Sequence, residues 1–463
     1  MRIGVNLLKL VPGEIGGMEH YVRNLIHHVS ARGGHDLFLY LNANNADTFS
    51  EMPNVTKIVL FDDGDVVRQI HHSVQALSLD LWFCPLLVME PHEMPIPVVV
   101  NIPDVQHVYF PEFFPKHVLD WRREQYPYTL THSAAVITLS DHAKNTILQS
   151  YPVDPGKVTA IWLDASSHFS EPYDPAVHAD IAARYNLPQG YALFPGKTWP
   201  HKNHIVLLRA AAYLRDVHRV KIPLVFTGGE DHHQQVLNAY IQHAGLSDQV
   251  RFLGYVPQHE MPYLYRSAGF LAFPSLYEGF GIPLVEAMKS GTPILCTNCA
   301  SIPEVVGDAA LYFDPNDPVD LAKKILHLRD EGVRRMLAEK GAERGRLFSW
   351  ERTCVATLHV FETVHQRHAA PPPEAAPEAV KSRRKRRRRR KRRSRSRLTR
   401  RSRLRRTAGR IRLRGRRRRS ASGTARKRMR RPAAKARIAS RRFGESARPP
   451  DRGRSRRKNR KGR

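Results

Sequence analysis

Strand-length apolar runs alternate with helix-length amphipathic stretches along most of this chain, and the alternation comes in two successive series. The first series places strands at residues 2–7, 37–41, 56–60, 97–101 and 135–139, with a helical pattern at 18–31. The second places strands at 191–195, 223–227, 250–253, 270–273 and 292–296, with helices at 205–214, 233–244, 260–267 and 283–289. Strands joined through helices pair in parallel, and a parallel sheet is covered by helices on both faces. The chain is therefore expected to be α/β, with two doubly wound Rossmann-like domains facing a shared cleft. A polar, proline-dotted stretch at 164–188 lies between the series and has the composition of an interdomain linker. We place an N-terminal domain over 1–170 and a C-terminal domain over 171–348. Residues 321–346 read as mostly helical, and Ser349 reads as the N-cap of a further helix over 349–368. Residues 369–380, rich in Pro and Ala, read as an extended linker.

Charge divides the chain a second time. Its 463 residues hold 75 Lys and Arg against 43 Asp and Glu, a formal +32, yet residues 381–463 alone hold 44 basic residues and 2 acids. That tail carries +42 and leaves residues 1–380 at −10, which excludes a uniformly basic nucleic-acid-binding body. Arg supplies 37 of the tail's basic residues and Phe443 is its one aromatic, so it cannot bury enough apolar surface to fold and is expected to be disordered. Its chemistry suits any polyanion, with steep salt dependence, and equally an anionic membrane surface, at ~1 kcal/mol per basic residue near the lipid. An Arg-dominated extension is also what a GC-rich gene yields when read out of frame, so a third reading gives the tail no selected role.

No apolar run approaches the ~18 residues of a membrane-spanning helix, and the first residues read as a strand and not as a signal peptide. Four cysteines in so long a chain cannot form a disulfide framework, so a reducing cytoplasm is the expected setting, with peripheral attachment at the inner membrane face as one reading of the tail. Cys296 and Cys299 form a C-x-x-C without the second pair of a four-thiolate zinc site.

In doubly wound domains ligands bind at the carboxyl ends of the strands, so the loops there carry the argument. Residues 12–18 include Gly16 and Gly17 between the first strand and a helix, where backbone N–H groups can approach an anion or simply make a tight turn. Residues 194–204 set Lys197 and Lys202 five apart between a strand and a helix. Two such ammonium groups can converge on a diphosphate, or stand as solvated surface lysines. Residues 274–288 set Glu278 on a Gly-rich turn and Glu286 inside the following helix, with Gly279, Phe280, Gly281 and Leu284 between them. Carboxylates accept hydrogen bonds from sugar hydroxyls, whereas the N–H groups and the helix dipole suit a phosphate, so one loop can hold both halves of a sugar nucleotide.

The segment from Glu278 to Glu286 resembles the Glu-x7-Glu signature of family-4 retaining glycosyltransferases of the GT-B fold. Its flanks agree: Phe252-Leu253-Gly254-Tyr255-Val256, Gly291-Thr292-Pro293, Ser301-Ile302-Pro303-Glu304 and Phe313-Asp314-Pro315. Ser140 with Lys144 resembles the N-domain Ser/Lys pattern, and residues 348–364 the helix that crosses back to the N-domain. The resemblance implies that residues 1–170 form the acceptor side and 171–348 bind the nucleotide sugar. Glu278 would then touch the donor sugar's hydroxyls, Glu286 the ribose, and Lys197 and Lys202 the diphosphate. Gly16 and Gly17 would close on the β-phosphate, and Gly279, Phe280, Gly281 and Leu284 would line the donor site. Many members carry a His-Asp pair after the fourth N-domain strand; here Asp104 keeps the acid, Pro103 stands at the histidine, and His107 is the candidate replacement.

The implied activity is transfer of a hexose from a nucleotide diphosphate sugar to a saccharide or lipid-linked acceptor in cell-surface polysaccharide synthesis. The form Trp199-Pro200-His201-Lys202-Asn203-His204 resembles bacterial polysaccharide enzymes that often use GDP-mannose, which makes it the favoured donor. No cofactor and no metal are expected, since lysines balance the leaving diphosphate; Asp63-Gly64-Asp65 imitates the Asp-x-Asp of another transferase fold and reads as a solvated turn. The alternatives are a GT-B epimerase or phosphorylase, because fold alone does not fix chemistry, and a polyanion-binding protein acting through its tail.

Overall fold

The computed structural model describes residues 1–13, 16–61, 65–231 and 233–369. Its first sheet contains β1 (Arg2–Asn6), β2 (Asp36–Leu41), β3 (Val55–Val59), β4 (Leu81–Cys84), β5 (Val98–Asn101), β6 (Ala135–Thr138) and β7 (Val158–Ala160), all parallel, in the order β3-β2-β1-β4-β5-β6-β7. Its second contains β8 (Ala192–Pro195), β9 (Leu224–Thr227), β10 (Val250–Phe252), β11 (Phe270–Phe273), β12 (Ile294–Thr297) and β13 (Ala310–Phe313), also parallel, in the order β10-β9-β8-β11-β12-β13. Both sheets belong to one compact unit.

The central strands β5, β6, β8, β9 and β11 are buried at every position, as strands covered on both faces must be. Each sheet reverses its strand order once, between β1 and β4 and between β8 and β11, and the crevice at such a point is where doubly wound proteins bind ligands. The loops that follow β1, β8 and β11 therefore stand where the sequence places the Gly16-Gly17, Lys197/Lys202 and Glu278 segments.

Three strands escape the periodicity. These are β4, β7 and β13, with four, three and four residues. The stretch 164–188 is also more than a linker, because it holds the helix Pro175–Arg184. Asp174 starts that helix by accepting from the N–H groups of Ala176 (2.8 Å) and Val177 (3.4 Å), and Ile181 buries its inner face. The helical stretch 321–346 is two helices, Pro318–His327 and Glu331–Gly345, divided where the Asp330 side chain caps the second. The helix Trp350–Ala369 packs on the N-terminal lobe: Phe361 meets Phe83 of β4 with ring centroids 5.0 Å apart, and the Trp350 indole donates to the Ala165 carbonyl at 2.6 Å. Residues 370–463, with the expected linker and basic tail, lie outside the described residues. Among the described residues no helix is long and apolar enough to cross a membrane.

Candidate active site

The chain leaves β11 at Phe273 and turns through Glu278 and Gly279 to Gly281, where the helix Ile282–Ser290 begins. Gly281 has φ +103°, and a β-carbon there would sit 2.9 Å from Leu284 Cδ1, so only glycine makes this entry. Leu284, Val285, Ala287 and Met288 anchor the helix in the core, and burying each larger side chain contributes about 1.5–3 kcal/mol. The turn itself is held by two hydroxyls. Ser301 faces the carbonyls of Glu278 at 2.9 Å and Phe280 at 3.0 Å, and Ser140, from the N-terminal lobe, donates to the Gly279 carbonyl at 2.8 Å. In a trans peptide the N–H points opposite to the carbonyl, so the N–H groups of Gly279, Phe280 and Gly281 are turned away from the two serines.

Glu278 meets Lys202 across the crevice between the β11 and β8 loops. The Lys202 Nζ lies 2.7 Å from Glu278 Oε1, with the two side chains only 14% and 12% exposed. Asn203, in the left-handed region at φ +55°, ends the Pro200–Lys202 turn and ties it down by donating to the carbonyls of Pro274 (3.3 Å) and Pro315 (2.9 Å). The N-terminal lobe arrives opposite. A β-carbon on Gly279 would lie 2.7 Å from the Pro103 carbonyl oxygen and 3.0 Å from Asp104 Oδ2, so the two lobes touch at this glycine. Asp104 accepts from the Gln106 N–H at 2.9 Å. Burial raises its pKa and the nearby Glu278 charge adds to that, against Arg122 and Lys202. The structure thus brings Asp104, Lys202 and Glu278 to one place.

Lys197 stands on the same β8 loop, with its ammonium 5.7 Å from the Trp199 ring centroid. The loop's backbone is met by Gly228, at φ +109°, where a β-carbon would lie 2.8 Å from the Gly196 carbonyl carbon. Gly16, at φ +61°, opens the helix Gly17–Arg32, and a β-carbon on Gly17 would reach within 3.7 Å of Ile282 Cδ1. Two helix N-termini, one from each lobe, therefore converge beside the Glu278 turn, and the positive ends of both dipoles with them.

Glu286 occupies a different environment. It is buried, its Oε2 accepts from the Tyr265 hydroxyl at 2.6 Å, and burial pushes its pKa up to about 7 against that hydrogen bond. His107 is packed inside the N-terminal lobe, where Arg122 acts on both its ring and Asp104. Its ring has Tyr151 OH at 3.0 Å from Nε2, Arg122 at 3.4 Å from Nδ1, and the Tyr126 ring centroid at 4.7 Å. Burial, with Arg122 and Arg123, lowers its pKa to about 4. Asp65 caps the helix Val66–Ala76 through the Arg68 N–H at 3.1 Å, whereas Asp63 lies outside the described residues. Among the described residues no group of three or more His, Cys, Asp or Glu side chains could hold a metal ion.

Sequence reasoning passed over three residues of this site. Ser301 stood in a motif noted only as a flank. Tyr265 lies 21 residues before Glu286, on another helix, with no local signal. Arg122 reaches the site's electrostatics from the helix Lys116–His132, where it reads as one of several surface cations.

Comparison with known proteins speaks to family and fold. Residues 182–344, which include Lys197, Lys202, Glu278 and Glu286, match the family described as glycosyl transferases group 1. The O-antigen chain mannosyltransferase B of Escherichia coli is 34% identical over 268 residues, covering 57% of this chain and 70% of that protein. The O-antigen chain mannosyltransferase RfbU of Salmonella typhimurium is 28% identical over 218 residues, 47% of this chain and 57% of that one. Among solved structures, Anabaena HepE in complex with UDP and glucose superposes with a TM-score of 0.63 at 18% identity, over 78% of this chain and 100% of its own. Two doubly wound sheets with their loops meeting at Gly279, a match to the family's own model, and a relative shared over most of its length together place this chain: it belongs to the group 1 glycosyltransferases, and its architecture is the GT-B fold.

Proposed function

We propose that the chain is a family-4 retaining glycosyltransferase that moves mannose from GDP-mannose to a saccharide or lipid-linked acceptor in surface polysaccharide synthesis. The observation that carries the reading is the Lys202–Glu278 pair, set beneath a turn whose carbonyls are tied back and opposite Asp104 of the other lobe. In this reading residues 1–170 serve the acceptor and residues 171–348 the donor. Glu278 accepts hydrogen bonds from the donor sugar's hydroxyls, and Asp104 faces the same sugar from across the seam. Lys202 and Lys197, with the N-termini of the helices Gly17–Arg32 and Ile282–Ser290, stabilise the diphosphate as it departs. Glu286 accepts from the ribose hydroxyls. The bond from the sugar's C1 to the diphosphate oxygen breaks, the acceptor oxygen bonds to C1 on the same face, and its proton leaves on the diphosphate.

The two O-antigen mannosyltransferases support mannose and a polysaccharide product. HepE, solved with UDP and glucose, makes UDP-glucose the donor to test against it. The deciding experiment incubates the full chain with GDP-mannose, UDP-glucose and other common nucleotide sugars in turn, and follows nucleotide release and product by NMR. Turnover of GDP-mannose to an α-mannoside supports the proposal. A β product would remove the retaining mechanism, and turnover of UDP-glucose alone would replace the donor.

A further inference from the structure

Glu304, in the short helix Ile302–Val306 of the C-terminal lobe, directs both carboxylate oxygens across the seam. Oε1 accepts from the Asp141 N–H at 2.8 Å and from the Trp162 indole N–H at 2.7 Å, and Oε2 accepts from the His142 N–H at 2.9 Å. Asp141 and His142 are the first two residues of the helix Asp141–Ser150 in the N-terminal lobe. A helix start leaves its first four N–H groups without partners in the helix. Here the opposite lobe's carboxylate takes two of them, and a third, Ala143, donates to the N-cap Ser140 at 3.0 Å. The same Ser140 hydroxyl donates to the Gly279 carbonyl of the donor turn.

Both sides of this junction are braced. Arg344 donates to the carbonyls of Glu304 (2.6 Å) and Val305 (3.0 Å), and its guanidinium lies 5.6 Å from the Trp162 ring centroid. Thr353 donates to the Trp162 carbonyl at 2.7 Å. Hydrogen bonds to an ionised carboxylate are about twice as strong as neutral ones, and a negative charge is favoured at a helix N-terminus. The contact is therefore strong enough to bias how the lobes meet, and it ends on the one carbonyl, Gly279, whose α-carbon abuts Pro103 and Asp104.

We infer that Glu304 and Ser140 form a clasp between the lobes that sets the position of Asp104 against the Lys202–Glu278 pair, both acting as positioning residues. With the clasp engaged, the donor turn and the Asp104 loop are fixed together. With it released, the lobes part at Gly279, while Lys202, Glu278 and Glu286 keep their places within the C-terminal lobe. The kinetic part of this inference rests on the function proposed above; the structural part does not.

The test uses the full chain carrying Cys299→Ser, with nitroxide labels at Asp47→Cys and Val217→Cys, exposed positions one in each lobe. Interlobe distances are read by pulsed electron resonance in this background and with Glu304→Gln or Ser140→Ala added. Gln turns an N–H2 group toward N–H donors, and Ala removes one hydroxyl. Each is expected to broaden the distance distribution toward longer values. In the unlabelled enzyme each should lower kcat between about tenfold and a hundredfold, as misplacement of reacting groups does, with donor KM changed less than about twofold. Distances unchanged in both variants would overturn the clasp, as would a raised donor KM at constant kcat. Should Glu304→Gln fail to fold, Ser140→Ala carries the test alone. If the parent enzyme turns over no nucleotide sugar, the proposed function fails and the distances still decide the clasp.

Discussion

Glu278 and Glu286 stand eight residues apart on one turn and helix, yet their surroundings are opposite. Glu278 is at the seam, ion-paired with Lys202 and facing Asp104 of the other lobe. Glu286 is buried in the C-terminal lobe against Tyr265, and burial pushes its pKa up to about 7. The spacing puts both carboxylates on one unit, but it is the partners, from the β8 loop in one case and the helix Met261–Ser267 in the other, that separate their chemistry. In the proposed reaction, the seam end holds charge beside the departing diphosphate. The buried end holds a carboxyl whose pKa burial pushes up to about 7, and the proposed ribose contact would be made equally before and during reaction.

The comparison breaks most visibly at the seam end. Lys202→Ala is expected to lower kcat by about 10²-fold or more, the usual loss for a positioned charge stabiliser, with a smaller rise in donor KM; steady-state kinetics at saturating acceptor read both. Full activity would remove Lys202 from the site. At the buried end, Glu286→Ala should raise donor KM about tenfold, the weight of a hydrogen bond to a charged group, and leave kcat nearly unchanged because the contact is uniform. A kcat loss with constant KM would assign Glu286 to the transition state instead.

pH sharpens the contrast. A carboxylate accepts ribose hydroxyls better than a carboxylic acid, so binding favours ionised Glu286 and GDP affinity should rise as pH increases through about 7. Stability moves the other way. A folded pKa raised above the unfolded value means that the folded state holds the proton more tightly, so this group's contribution is full below the unfolded pKa of about 4.5 and is lost as pH rises through about 7. Tyr265→Phe removes the hydroxyl that favours the ionised form, so the affinity transition should shift to higher pH and leave a few-fold deficit at neutrality. Glu286→Gln should flatten it, and calorimetric titration across pH checks both.

The smallest expected effects lie away from both glutamates. EDTA should leave the rate unchanged within error, and a chain ending at Val380 should keep its turnover on a soluble acceptor while losing +42 of charge. Abolition by EDTA with rescue by Mn²⁺ would restore Asp63 and Asp65 as candidates.

The sequence displays what is local. Glycines and carboxylates between a strand and a helix mark the β11 turn, and the paired lysines mark the β8 loop, because turn chemistry and the change of period are written in neighbouring residues. Contacts made over long separations leave no such trace. Nothing near Glu278 announces that Ser140 holds the next carbonyl from 139 residues away, and nothing near Glu286 announces Tyr265. Likewise nothing near His107 announces that its imidazole packs against Tyr126 and meets Tyr151, 44 residues on. At 164–188 the polar composition conceals a helix because one capping Asp and one buried Ile suffice to hold it.

The division of labour between the two glutamates is tested most directly by calorimetric binding of GDP and of GDP-mannose to the parent chain, Glu278→Gln and Glu286→Gln. The account predicts that Glu286→Gln weakens both ligands about equally. It also predicts that Glu278→Gln leaves GDP affinity unchanged or raised, since Lys202 is freed for the diphosphate, and abolishes the extra affinity conferred by the sugar. Weakening of GDP itself by Glu278→Gln, equal to the weakening of GDP-mannose, would contradict it.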